Sequence, residues 1–508
     1  MNANLRDPDL DRIGTPRDAA RMAFRRYRDR IAFFGPRGET VSFGTLGTRV
    51  FGLARGLLES GLQPGDRVAF LLPNSIEFVE LRLACHEAGL VAVPLIWDLT
   101  PEARAAALQA AAPGLYVYDP QLDAGPPAGE FRTVAVPRGE RGGLEELIRS
   151  DADESSARVA GDSPATINFT SGTTGTPKGV VSTHSSWATS LKMTAKSGLL
   201  SAGEGELFLH AIPLATAGWG TVLPCMLGGI GGLLMPEWNP GAALDLAGSR
   251  EVTGTLLTPS MLIDWLDEPD LDGRLPPSLR AIICGTAPLH GPKAAEALQA
   301  FGPVLYQGYG LAEVLPPLAS MGPAAHDPER FPLRVGRTAG GVDVRIVDAR
   351  GARLEAGTCG QIEVRSPTQT PGYWLRPDLT AAAVRGGFFR TGDLGFVDED
   401  GFLNVLGRAS EVPPGISGHP RTVEEAAHRH AALKECALVA TEEGTTLFCS
   451  VRRGRELSPG ELDSTVAEQL PARSRPQSVR VVAGDLPRSA AGKLARTRLP
   501  RLPVDREP

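Results

Sequence analysis

The 508-residue chain predicts an α/β fold: a large N-terminal body of parallel sheets covered by helices, a β-rich subdomain within it, and a small mobile α+β domain at the C-terminus. Three observations predict it. Short apolar runs of strand length alternate with amphipathic stretches through the first 290 residues, and between residues 340 and 400 the runs become short, alternating and punctuated by glycine. Beyond Ala409 a separate set of helix and strand patterns follows. The length agrees, because one core rarely organises more than about 250–300 residues.

From Thr40 the chain reads as a strand at VSF, a helix over about 44–60, a turn at GLQPGD and an apolar strand VAFLLP. A second helix over about 75–89 leads to the strand LVAVPL. Strands that are apolar almost throughout, set between helices, indicate a parallel sheet buried on both faces. The rhythm resumes after Pro164 with ATINF ahead of a Gly/Thr loop, then LFLHAI, TGTLLT and RAIICG. The least charged stretch, 220–238, contains Pro224 and the glycines Gly228, Gly229, Gly231 and Gly232, so buried core and a turn are expected there instead of a membrane span. VDVRIVD and GQIEVRS belong to the β-rich part, and the body runs to about Arg408. The domain boundary is therefore placed between residues 1–409 and 410–508. The second unit reads as a helix EEAAHRHAAL, strands CALVAT and TLFCSV, a helix SPGELDSTVAEQL and a strand SVRVVA, with a Pro/Arg-rich tail from Arg496 expected to fray.

Composition narrows the partners. Lys plus Arg number 52 against 59 Asp plus Glu, a net charge of -7, which offers no basic footprint for nucleic acid or an anionic membrane. The six cysteines lie far apart, with no CxxC pair and no His cluster at metal-ligand spacing, which fits free thiols in a reducing compartment. The first residues, MNANLRDPDLDRIG, are polar and lack the apolar stretch of a signal peptide, so a cytoplasmic location is expected.

The strongest chemical signal is TSGTTGTPKGV, residues 170–180, directly after an apolar strand. Small residues at Thr170, Ser171, Gly172, Thr173, Thr174 and Gly175 let backbone N–H groups and hydroxyls surround phosphate oxygens, and Lys178 neutralises them. Such a loop suits a nucleoside triphosphate. It is not a Walker A loop, because Lys178 is followed by Gly179 where that loop needs a hydroxyl residue.

This string resembles the phosphate loop of the acyl-adenylate-forming superfamily, which contains acyl-CoA synthetases, stand-alone adenylation domains and luciferases. The resemblance extends in order through CGTAPL (284–289), YQGYGLAE (306–313), FRTGDLG (389–395), Gly407-Arg408 and PRSAAGKLAR (487–496). It implies an enzyme that uses ATP to activate a small carboxylic acid as acyl-AMP with release of pyrophosphate, then passes the acyl group to an acceptor. By this likeness Glu313 holds Mg2+, Asp393 accepts from the ribose hydroxyls with Arg408 nearby, and Tyr309 and Gly310 lie at the adenine beside Gly285, Thr286 and Ala287. Lys493 is the lysine that swings onto the body and contacts both the acid's carboxylate and the α-phosphate, offsetting charge that develops in the transfer. The acid pocket is expected between the segment IPLATAGWG, the end of CGTAPL and YGLAE, with Thr216, Trp219, Gly285 and Leu311 as candidate walls. His184 reads either as a phosphate contact or as a structural histidine.

The sequence also departs from the family pattern. Ala312 stands where a threonine usually precedes the glutamate, and Ala215 and Thr216 stand where an aromatic or His pair is common. The same segment lacks the Asp of α-amino-acid-activating members and the Asn of catechol-acid members, which disfavours a simple amino acid or a catechol acid; the lining of the expected pocket fits an uncharged acid, aryl or alicyclic. After Gly407-Arg408 the text ASEVPPGISGHPRTVEE places Ser410 at the hinge, is about two residues short, and carries Pro413 and Pro414, which remove hairpin donors. Three readings follow. The acceptor is a thiol, CoA or carrier-protein pantetheine; or a nitrogen nucleophile traps the adenylate, as in an amide-bond synthetase; or the chain binds adenylate without catalysis.

Overall fold

A computed structural model describes residues 7–123, 132–137, 142–154, 158–170, 177–197, 205–413, 418–442 and 444–502. Among these residues the body contains two sheets, of fourteen and six strands, and the C-terminal unit a third of three. In the large sheet the strands Ile31–Phe34, Gly231–Leu234, Leu207–His210, Gly254–Leu257, Ala281–Gly285 and Leu305–Tyr309 run parallel in that spatial order. Antiparallel strands then extend it through Ala319–Met321, Arg334–Thr338, Leu403–Arg408, Phe388–Val397, Gly360–Arg365 and Asp343–Val347. The six-stranded sheet is parallel except for its last pair, Pro164–Thr170 with Lys178–Thr183. The mixed α/β architecture is thus present, with the β-rich part continuing the parallel sheet.

Local chemistry explains the elements. Ser75 caps the helix Ile76–Ala88 by accepting from Phe78 N, and Gly89 ends it at φ 72°, where a side chain would be strained. The segment expected as buried core and a turn is both: a buried helix, Trp219–Gly228, with Pro224 inside it, turns at Gly229 into the buried strand Gly231–Leu234. Apolar residues all round allow that helix to be buried on every side. In the C-terminal unit the helix lies earlier than its apolar pattern indicated, at Pro420–Ala427, because Pro420 is pre-organised for a first helical position. The tail does not fray at Arg496: residues Arg496–Arg501 form a 3-10 helix, Leu499 is fully buried, and Arg496 pairs with Glu424 at 2.6 Å.

The C-terminal unit has its own core, in which Val423, Leu433, Leu447, Leu462 and Val466 meet. Its contact with the body is polar. Arg421 donates to the carbonyls of Val405, Leu289 and Pro332 at 3.2, 2.6 and 2.9 Å. Lys293 of the body donates to Leu433 O at 2.9 Å, Lys434 lies 3.0 Å from Asp264, and Glu425 accepts from Gly291 N at 2.9 Å. Arg488 binds Asp264 and Glu435 together.

Candidate active site

The phosphate-loop strand pairs antiparallel with the next one, Thr170 opposite Lys178, so Thr170 and Lys178 mark the two ends of the loop. Ser171, Gly172, Thr173, Thr174 and Gly175 lie outside the described residues. The Lys178 ammonium stands 5.8 Å from the centre of the Tyr373 ring. That tyrosine bridges Val180 through its backbone and donates its hydroxyl to Glu313 Oε1 at 2.9 Å. Burial, then the Glu313 charge, raises the Tyr373 pKa, so the hydroxyl stays a donor. Tyr373 therefore joins Lys178 and Glu313 in one corner. It escaped the sequence reading because PGYWLRP, with a single glycine and a single arginine, matches no phosphate- or nucleotide-binding pattern.

A second corner lies across the sheet. Asp393 and Arg408 face each other across a hairpin, with Arg408 Nε 3.2 Å from Asp393 Oδ1. Tyr309 donates to Asp393 Oδ2 at 2.5 Å, and a second Arg408 nitrogen donates to Thr391 O at 2.6 Å. Burial raises the Asp393 pKa, against the opposing pull of Arg408, the Tyr309 hydrogen bond and Lys493. Nearby, Gly285 ends its strand beside Gly308, and an added Cβ there would meet Gly308 O at 3.0 Å. Thr286, next in the chain, has φ 73° and a buried hydroxyl with no partner, a strained backbone at the carboxyl end of a parallel strand where ligands bind in such sheets. Ala287 follows it, partly buried, and Gly310 keeps the chain tight against Pro316, which an added Cβ would touch at 2.8 Å.

Lys493 reaches this corner from the far end of the chain. Its loop closes on itself through Ser489 N to Lys493 O and Gly492 N to Ser489 O, both 2.8 Å. The body holds the loop at two points: Thr258 donates to Gly492 O at 2.9 Å, and Asp98 accepts from Ala490 N at 2.6 Å. The Lys493 side chain keeps an open side to water while protein crowds it elsewhere in the cleft. Desolvation there, then Arg408, lowers its pKa to about 8, with Asp393 acting in the opposite sense and water at the open side tempering the shift.

The remaining expected positions fall as follows. Trp219 does not line an open pocket but lies in the core behind the segment 213–218, 1 % exposed and stacked over Arg82. Thr216 is half-buried and donates to Pro213 O at 2.8 Å, while Leu311 is half-buried against the β-rich core. His184 is fully buried in the helix His184–Ser197, with a pKa lowered to about 4 by burial, and is no phosphate ligand. Ser410 is exposed in a 3-10 turn, Ala409–Glu411; Pro413 follows it, and Pro414 falls in 414–417, outside the described residues.

The arrangement gathers three cations, Lys178, Arg408 and Lys493, with two carboxylates, Glu313 and Asp393. It suits a polyphosphate and a nucleoside. Among the described residues no group of three His, Cys, Asp or Glu is placed to hold a metal ion. No helix of the described residues is long and apolar enough to cross a membrane.

Comparison with known proteins agrees with this geometry. The family model for AMP-binding enzymes matches residues 20–374, and that for the C-terminal domain of AMP-binding enzymes matches 422–493. The chain is 31 % identical over 498 residues to a 2-succinylbenzoate–CoA ligase of Geobacillus kaustophilus, covering 93 % of this chain and 95 % of that one. It is 29 % identical over 479 residues to the fatty acid–[acyl-carrier-protein] ligase ScoC of Streptomyces coeruleorubidus, covering 91 % of each. Among solved structures, the amide bond synthetase McbA of Marinactinospora thermotolerans superposes with a TM-score of 0.83 at 27 % identity, covering 96 % of this chain and 99 % of that one. Matched along both its body and its C-terminal unit, this chain belongs to the AMP-binding enzyme family and is an ATP-using, AMP-forming ligase with a thiol or amine acceptor.

Proposed function

We propose that the chain activates an aryl or alicyclic carboxylic acid as acyl-AMP and transfers the acyl group to a thiol, CoA or carrier-protein pantetheine. The observation that carries this reading is the docking of the Lys493 loop on the body through Thr258 and Asp98, which brings Lys493 within electrostatic reach of Asp393 and Arg408, 100 and 85 residues away in sequence. In the first half-reaction an acid oxygen attacks the α-phosphorus and pyrophosphate leaves. Lys493 sits to pair with both the attacking carboxylate and the α-phosphate. Lys178 and the 170–175 loop take the leaving phosphates, Asp393 and Arg408 the ribose, and Tyr309, Gly310, Gly285, Thr286 and Ala287 the base. Thr216 and Leu311 border the acid. Glu313 would hold Mg2+, which supplies charge neutralisation on the phosphates when bound. In the second half-reaction the acceptor attacks the acyl carbon and AMP leaves.

Residues 1–409 act as the body and 410–508 as a lid turning at Ser410. The free cysteines, Cys359 alone of them exposed, support a reducing, cytoplasmic setting. A nitrogen acceptor is the second reading, favoured by the short, proline-bearing segment after Arg408. A non-catalytic binder is disfavoured by the intact charge set.

The test is acid-dependent pyrophosphate release over a panel of aryl and alicyclic acids, followed by mass spectrometry of each hit with CoA and, separately, an amine. Thioester supports the first reading, and amide with CoA inert supports the second. No release with any acid defeats both.

A further inference from the structure

Behind the segment 213–220 the body holds a positive charge with no carboxylate beside it. Arg82, midway along the helix Ile76–Ala88, is 1 % exposed and donates to Leu214 O at 3.1 Å. Its guanidinium carbon lies 4.3 Å from the Trp219 ring centre and 5.5 Å from that of Trp187. The acids of its own helix are engaged elsewhere: Glu77 with Arg37, Glu80 with Arg49 and Glu87 with Arg21. One turn along, His86 stacks edge-on against His184 at 5.8 Å and lies 6.3 Å from Trp219. Asp18, the acid that influences His184, already accepts from Thr15 and from Gly14 N.

The nitrogens here are unsatisfied as a group. Arg82 Nε, both ring nitrogens of His86 and of His184, and the indole nitrogens of Trp187 and Trp219 are buried with no hydrogen-bond partner. Arginine and tryptophan nitrogens only donate, and each imidazole donates through at least one nitrogen. Indole faces attract the guanidinium, which accounts for the stacking and leaves the N–H edges unanswered. A guanidinium does not lose its charge in a protein, and a buried charge without a counter-charge is costly. Water would fill the donors without supplying that counter-charge.

We infer that Arg82, Trp187 and Trp219, edged by His86 and His184, form an internal site for a compact anion of carboxylate size or smaller. Two sources share this chemistry. One is a second carboxylate at the far end of the acid, passing the loop whose Leu214 carbonyl Arg82 holds; this source rests on the proposed acid activation. The other is a free small anion, such as formate or chloride, retained within the fold, and it stands without that reading.

Two measurements on the full chain decide it. Unfolding temperature is followed at constant ionic strength as gluconate is exchanged for formate or chloride. A ligand of the native state raises it saturably, and Arg82→Met or the paired Trp187→Phe and Trp219→Phe changes should flatten that rise. Pyrophosphate release is then compared for acids of matched shape ending in carboxylate or in methyl. The carboxylate partner should be favoured about tenfold or more in kcat/KM, since a site built of hydrogen-bond donors rejects an analogue lacking the acceptor. Trp219→Phe, which keeps a ring and deletes one donor, should shrink that preference even if Arg82→Met fails to fold. A saturable rise alone assigns the free anion, and a carboxylate preference alone assigns the substrate. A flat melt with no carboxylate preference in the unaltered protein overturns the site. If no acid releases pyrophosphate, the proposed function fails and the melt alone decides: a rise supports the site and a flat curve overturns it.

Discussion

Replacing Thr258 by valine keeps the shape of the side chain and deletes the hydroxyl that donates to Gly492 O at 2.9 Å. A neutral hydrogen bond of this kind contributes about 1 kcal/mol, so the docked population of the Lys493 loop should fall about fivefold. The same oxygen caps the helix Pro259–Leu266 by accepting from Met261 N, and losing that cap costs a further ~1 kcal/mol of fold stability. Thr258→Ser keeps both contacts and serves as the control. Asp98→Ala removes a charged acceptor from Ala490 N at 2.6 Å, a bond of about 1.5–3 kcal/mol, or roughly 10- to 150-fold in docking. The assay separates the half-reactions: acid-dependent pyrophosphate release for the first, and consumption of supplied acyl-AMP by the acceptor for the second. The first should fall by these factors while the second holds. Equal losses in both, or none in either, would refute the assignment of these residues as holders of the Lys493 loop.

Lys493→Ala should reduce pyrophosphate release by ~10²-fold or more; an unchanged rate would remove its assigned role. Because its pKa is lowered to about 8, the ammonium is charged below that pH and neutral above it, so release should decline as pH rises through about 8. Lys493→Arg, always charged, should erase this descending limb, and a limb that persists in the arginine variant would belong to another group. Tyr373→Phe frees Glu313 of its 2.9 Å hydrogen bond and should change KM for Mg-ATP about fivefold, read from ATP titrations at several Mg2+ concentrations; equal KM at all of them would leave the pair without a role there. Burial alone would raise the Glu424 pKa, but Arg496 at 2.6 and 2.9 Å overrides it and the net shift is downward. The pair's stability is therefore present above the ordinary glutamate range and lost as acid protonates the native carboxylate. Glu424→Gln should cost ~3 kcal/mol at neutral pH in urea unfolding, with a smaller loss in acid; the same loss at both pH values would count against the charge as its origin.

Strings that keep their chemistry contiguous were readable in advance. The phosphate-loop string and the SAAGK turn each fall within a dozen residues, and FRTGDLG and Gly407-Arg408, named as separate motifs, meet in one hairpin. Cap-to-cap helices such as Ile76–Ala88 were legible for the same reason, since Ser75 and Gly89 mark both ends. What was hidden lies in contacts between distant segments. Tyr373 meets Glu313 across 60 residues, Thr258 meets Gly492 across 234, and Asp98 meets Ala490 across 392. Whether Trp219 is wall or core was open in the sequence, because it depends on distant neighbours, here Arg82 and Phe78. Arg496 looked like a frayed tail because its partner Glu424 lies 72 residues earlier.

The body and the C-terminal unit meet through the polar contacts of Arg421, Lys293, Lys434 and Arg488. When such a seam parts, the newly bared groups are ones that water readily hydrates, so an opened molecule offers no sticky surface to its neighbours. Dissolved salt, which screens the ion pairs of the seam, becomes a handle on how long it stays shut.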